Sequence, residues 1–171
     1  IAYHLLAWLA LLAGADTFPF FGGGLGWPLA ALHLTTLGVI VMSTIGASLQ
    51  LLPVATRQAV GSSRWPILIW WLYTPGVAAV ALGMGLGEPL ALGLGAALVV
   101  LALVGYAVLL AINLHGARGM PAVIACGWTA LACLLVVLVT ALSLALTYLG
   151  LPLIDRQTAL ALHLTFAAYG F

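Results

Sequence analysis

The side chains best suited to chemistry in this sequence are its four histidines, His4, His33, His115 and His163. Neutral imidazole ligates transition metals well, haem iron among them. His33 stands near the start of LHLTTLGVIVMSTIGASLQLLP, residues 32–53, which carries no formal charge. A helix crosses a bilayer with about 20 apolar residues, so this run is long enough. An ionisable ring inside such a span is costly without a partner, which makes it a functional candidate. Gly38, Gly46, Ala47 and Ser48 follow in the same run. Small side chains let a neighbouring helix or a flat cofactor approach the backbone. His33 is therefore the first candidate to hold a haem iron. The plain alternative is a ring near the membrane surface, bonded to a backbone carbonyl or to water.

The pentapeptide ALHLT occurs at 31–35 and again at 161–165. Each copy opens a helix running away from the same membrane face, so His33 and His163 are expected at similar depth, one to two turns in at about 1.5 Å per residue. Two imidazoles so placed suit a low-spin haem with histidine on both sides of the iron. His33 and His163 are the preferred haem-binding and iron-ligating pair, and His4 is the substitute. His115, beside Arg118 in a loop, reads as an interfacial residue. Thr35, Thr36 and Ser43 are candidates to bond propionates or neighbouring backbone. Met42 and Gln50 read as helix packing, and Trp65, Trp70, Trp71 and Tyr73 as interfacial anchors. No Cys-x-x-Cys-His occurs, so the haem expected is a non-covalent haem b. Cys126 and Cys133, seven apart on one helix, read as small packing residues.

The elements that must position these rings follow from composition. The chain is 65% hydrophobic and 4% charged, against about 25% charged residues in soluble domains. An all-α, polytopic transmembrane helical bundle is expected, with the lipid bilayer as its first partner. Without basic clusters, nucleic acid is excluded as a partner. Helices are predicted over 1–13, 28–52, 65–84, 90–113, 121–148 and from 158 onward, giving about six spans. Residues 1–171 read as a single transmembrane domain. Ile1 and Phe171 lie inside apolar runs, so the sequence is expected to be a fragment of a longer chain. Arg57, Arg64 and Arg118 lie at one end of this topology. Asp16, Glu88, Asp155 and Arg156 lie at the other. The positive-inside rule places the first set in the cytoplasm, as in a multi-pass protein of a bacterial inner membrane.

The order of motifs resembles subunit I of the haem-copper oxidases, the family of cytochrome oxidases and nitric oxide reductases. His33 with Gly46, Gln50 and Pro53 is similar to that family's second helix, which carries a low-spin haem histidine. RWPILIWWLYTPG (64–76), the set Asn113, Arg118, Gly119, Met120 and Pro121 with Trp128 beyond, and the pair Asp155-Arg156 are similar to successive later motifs. The likeness covers most of residues 30–163. It implies the first half of an oxidase-like bundle, a haem b used in electron transfer or in oxygen or nitric oxide chemistry, an electron donor, and further membrane subunits or missing helices of the same protein. It also shows departures. HLTFAAYGF (163–171) lacks the family's His-Pro-Glu, Tyr169 is six residues past His163, and Phe171 falls where a metal ligand would stand. Copper is therefore not expected, and any oxidoreductase activity of this type would have a degenerate or missing metal site. The alternative is a non-redox transport or structural membrane subunit whose histidines are merely packed.

Overall fold

The structure is a computed structural model and describes residues 1–59, 61–62 and 64–170. Among the described residues it is all-helical. The helices are α1 (Ala2–Ala13), α2 (Trp27–Thr56), α3 (Arg64–Leu86), α4 (Pro89–His115), α5 (Pro121–Thr147) and α6 (Arg156–Tyr169). They start where their sequences dictate. Pro28, Pro89 and Pro121 occupy first turns, where the missing N–H would have had no helical partner anyway. α6 starts at Asp155, whose carboxylate accepts from Gln157 N (2.9 Å) and Thr158 N (3.2 Å). Hydrogen bonding by the Thr158 side chain foremost, then by these N–H groups, holds the Asp155 carboxyl below its ordinary range.

Four helices, α2 to α5, are long and apolar enough to cross a membrane, which is compatible with an integral membrane protein. About six spans were expected. The difference lies in α1 and α6, with 12 and 14 described helical residues, short of the about 20 that a span needs. Phe171, read above as standing at a metal-ligand position, lies outside the described residues. Cys126 and Cys133 are both free thiols on α5.

Packing runs through small residues. A Cβ added to Gly83 of α3 would sit 2.3 Å from Leu92 N of α4, and one added to Gly95 of α4 would sit 2.5 Å from Val80 N of α3. The α3–α4 hairpin is thus backbone against backbone, the geometry that glycine allows between apolar helices. α1 packs on α2, where the Tyr3 ring lies against Gly38. α6 has α5 as its principal neighbour. Ser143 of α5 fixes the approach to α6, accepting from Ile154 N at 2.9 Å.

α2 is not a uniform α-helix. From Thr36 to Val41 it widens into a π-helical turn, three residues after His33. Such turns are rare and are concentrated at functional sites. Here Leu37 O accepts both the Met42 N–H and the Tyr73 hydroxyl, the latter at 2.9 Å. Tyr73→Phe removes the second donor and should destabilise the bundle by about 1 kcal/mol. Equilibrium unfolding of the detergent-purified protein checks this, and an unchanged midpoint would show that the π turn needs no support from α3.

Candidate functional site

His33 lies six residues beyond Trp27 on α2, and His163 seven beyond Arg156 on α6. At 1.5 Å per residue these are depths of about 9 and 11 Å along their helices. With five helices alternating up and down from α2 to α6, both rings enter from the same face of the bundle. α5, the principal neighbour of α6, brings His163 into the bundle. Yet α2 and α6 share at most marginal packing. The helix faces around them are open as well. Only 11% of α2's apolar window and 17% of α5's is buried, against 44% in each of α3 and α4. A Cβ on Gly46 would meet nothing within 4 Å, and Ser43, Ala47 and Gln50 are exposed. The two imidazoles therefore stand at the same end of the bundle, on helices that are not in close contact.

Each ring is anchored through Nδ1. His33 Nδ1 lies 3.0 Å from Leu29 O, one turn earlier on its own helix. A carbonyl only accepts, so this bond places the proton on Nδ1 and leaves Nε2 with its lone pair. His163 Nδ1 lies 3.5 Å from Thr140 Oγ1 of α5, the outer limit for a hydrogen bond. The Thr140 hydroxyl is buried and donates to Val136 O at 2.8 Å. Its oxygen is then left to accept from the imidazole. Among the described residues no protein hydrogen bond engages Nε2 of either ring. Ligating histidines commonly carry this arrangement, one nitrogen held by an acceptor and the other offered to the metal.

The other candidates are placed differently. His4 is exposed on α1, and its Nε2 accepts the Trp8 indole N–H at 3.2 Å. His115 is exposed at the far end of α4, away from His33 and His163. Trp65, Trp70 and Trp71 are exposed, with the last two edge to face at 4.9 Å. Met42 packs against the apolar core. The hydroxyls of Thr35 and Thr36 donate to Ala31 O and Leu32 O of their own helix, each at 3.0 Å. Among the described residues no three His, Cys, Asp or Glu side chains gather into a group able to enclose a metal ion. A porphyrin would need less from the protein, since it supplies four nitrogens itself.

Thr140 is the site residue that sequence reasoning passed over. A hydroxyl in the apolar run LLVVLVTAL was the available signal. A second polar knot lies at the other end of the bundle. Buried Asn113 accepts from Thr56 Oγ1 at 2.9 Å and donates to Gln58 O at 2.6 Å, tying α4 to the end of α2.

No model of a known protein family matches the chain, and neither a curated protein nor a solved structure matches it.

Proposed function

We propose that this chain is a haem-b-binding membrane protein, with His33 and His163 as the residues that would hold the iron. One observation carries the reading: two imidazoles stand at matched depth on helices that enter from the same end of the bundle, and Leu29 O holds the proton of His33 on Nδ1, which leaves its Nε2 free. The donor set fits the group. Two neutral nitrogens suit a low-spin iron. When bound, such a haem supplies reversible one-electron transfer. The protein's own part is orientation. Leu29 O fixes the rotation and tautomer of His33, and Thr140 does the same for His163.

The oxidase resemblance extends this proposal to an electron donor and to neighbouring membrane subunits, in electron transfer or in oxygen or nitric oxide chemistry. The arginine distribution supports an orientation with Arg57, Arg64 and Arg118 on the cytoplasmic side of a bacterial inner membrane. The purified protein should carry a Soret band, and a colourless preparation that does not take up added haemin ends the reading. It would leave the non-redox transport or structural subunit, in which Leu29 O and Thr140 simply satisfy the two rings.

Thr140→Val tests the second anchor. It keeps the shape and removes the acceptor for His163 Nδ1. Haem retention should fall by about tenfold, the lower end of the effect of losing such a partner, because the contact is long. The reduction potential should rise, since a histidine whose N–H is not hydrogen-bonded is the weaker donor to iron. Haemin titration and a potentiometric titration read the two effects, and no change in either would make Thr140 a packing residue only.

A further inference from the structure

At the end of the bundle away from His33 and His163, an open groove of about 600 Å³ lies between the end of α2 and the α4–α5 connection. Arg57 and Arg118 line it together with Leu51, Val54 and Met120. We propose that this groove binds the headgroup of an anionic phospholipid, with the acyl chains lying along α2. Three observations carry the assignment.

The first is charge. The sequence has three acidic residues, Asp16, Glu88 and Asp155. All stand in connections at the opposite end, before α2, before α4 and before α6. Among the described residues the two arginines therefore share one groove with no carboxylate side chain at their end of the bundle, and guanidinium is the side chain best shaped to grip a phosphate. The α5 N-terminus opens at Pro121 beside them, without a side-chain cap, adding the partial positive charge of a helix start.

The second is the wall. Leu51, Val54 and Met120 are 67, 78 and 61% exposed, an apolar flank running from the arginines onto the spanning part of α2. A free phosphate has no use for that flank, whereas a lipid's chains would cover it. Basic pockets between membrane helices are known sites for anionic headgroups.

The third is construction. Arg118 N donates to Thr56 O at 3.0 Å and Met120 N to Ala55 O at 3.3 Å. A Cβ on Gly119 would fall 1.8 Å from Ala55 O, so only glycine allows these bonds. Arg57 itself holds the left-handed conformation, φ +56°. Glycine adopts that conformation at less cost and is the usual residue at such a helix end. An arginine there contributes its side chain at the expense of backbone ease.

The test uses the whole chain, purified in an uncharged detergent and delipidated, with retained lipid counted by native mass spectrometry. Dioleoylphosphatidylglycerol should be retained over dioleoylphosphatidylcholine by about 25-fold, roughly fivefold per arginine. Arg57→Gln with Arg118→Gln should erase that preference, with the helical circular dichroism unchanged. Arg57→Lys with Arg118→Lys should keep most of it. Equal retention of the two lipids by the wild type, or a preference that survives the glutamine pair, overturns the proposal. Displacement of the phosphatidylglycerol by millimolar inorganic phosphate also overturns it and makes the groove a free-anion site. If the glutamine pair does not fold, the wild-type comparison and the lysine pair decide. None of these readings depends on haem.

Discussion

His33→Ala is expected to abolish the low-spin spectrum of the haem-loaded protein. The wild type should show a sharp Soret band with resolved α and β bands on reduction, the pattern of an iron with nitrogen on both axial sides. Removing an outer partner of a ligand costs about 10–100-fold in affinity, and removing the ligand itself should exceed that range. Imidazole added to the alanine variant should restore part of the band, because it refills the vacated position without repairing the backbone. His163→Ala should behave alike, because the proposal gives its ring the second position on the iron. His4→Ala should leave the spectrum unchanged, because its Nε2 already accepts from Trp8 on the exposed face of α1. A band lost in His4→Ala and kept in His163→Ala would move the second ligand to α1. A band indifferent to His33 would remove α2 from the site altogether.

The second large effect concerns the frame. Gly83→Leu should destabilise the bundle by about 3 kcal/mol or more, at or above the upper end of ordinary overpacking. The Cβ alone would sit 2.3 Å from Leu92 N and 2.7 Å from Leu92 Cα, whereas carbon atoms rest at about 3.5–4.0 Å. Those are backbone atoms beside the turn of the α3–α4 hairpin, and no rotamer change clears them. The helices must part along a seam where Tyr73, Val77 and Val80 of α3 and Leu92, Val99 and Leu103 of α4 are buried. Gly105→Ala is the control on α4. Its added Cβ would meet Ile69 at 3.6 Å, an ordinary contact, and should change stability by no more than about 1 kcal/mol in either direction. Unfolding midpoints in detergent separate the two, and a Gly83→Leu protein as stable as the wild type would refute the close α3–α4 approach.

Much of this molecule follows from local patterns. Apolar runs broken by Pro, Gly and charged clusters set six helices within a few residues of their positions. The second helix expected to stop at 52 continues to Thr56, because Pro53 lacks only its own N–H and does not force the chain out of helical dihedrals at that point. The sixth begins at Arg156, two residues earlier than read, because Asp155 caps it. The histidines were legible as candidates, since an imidazole in an apolar helix stands out by type. Their equal depth was legible too, from the repeated ALHLT and the fixed rise of a helix.

Tertiary structure decided the rest. The π turn after His33 leaves no periodic mark, and the Tyr73 hydroxyl that donates to Leu37 O within it comes from 36 residues away. Thr140 looked like any hydroxyl able to bond back to its own helix, and only the packing of α6 on α5 brings His163 to it. The arginine groove requires Arg57 and Arg118, 61 positions apart in sequence, to meet through the close approach at Gly119. Composition and periodicity fix what a segment is, because these are properties of a few neighbouring residues. Which side chains meet is set by how whole helices pack, and hydrophobicity among uniformly apolar helices carries too little pattern to encode it.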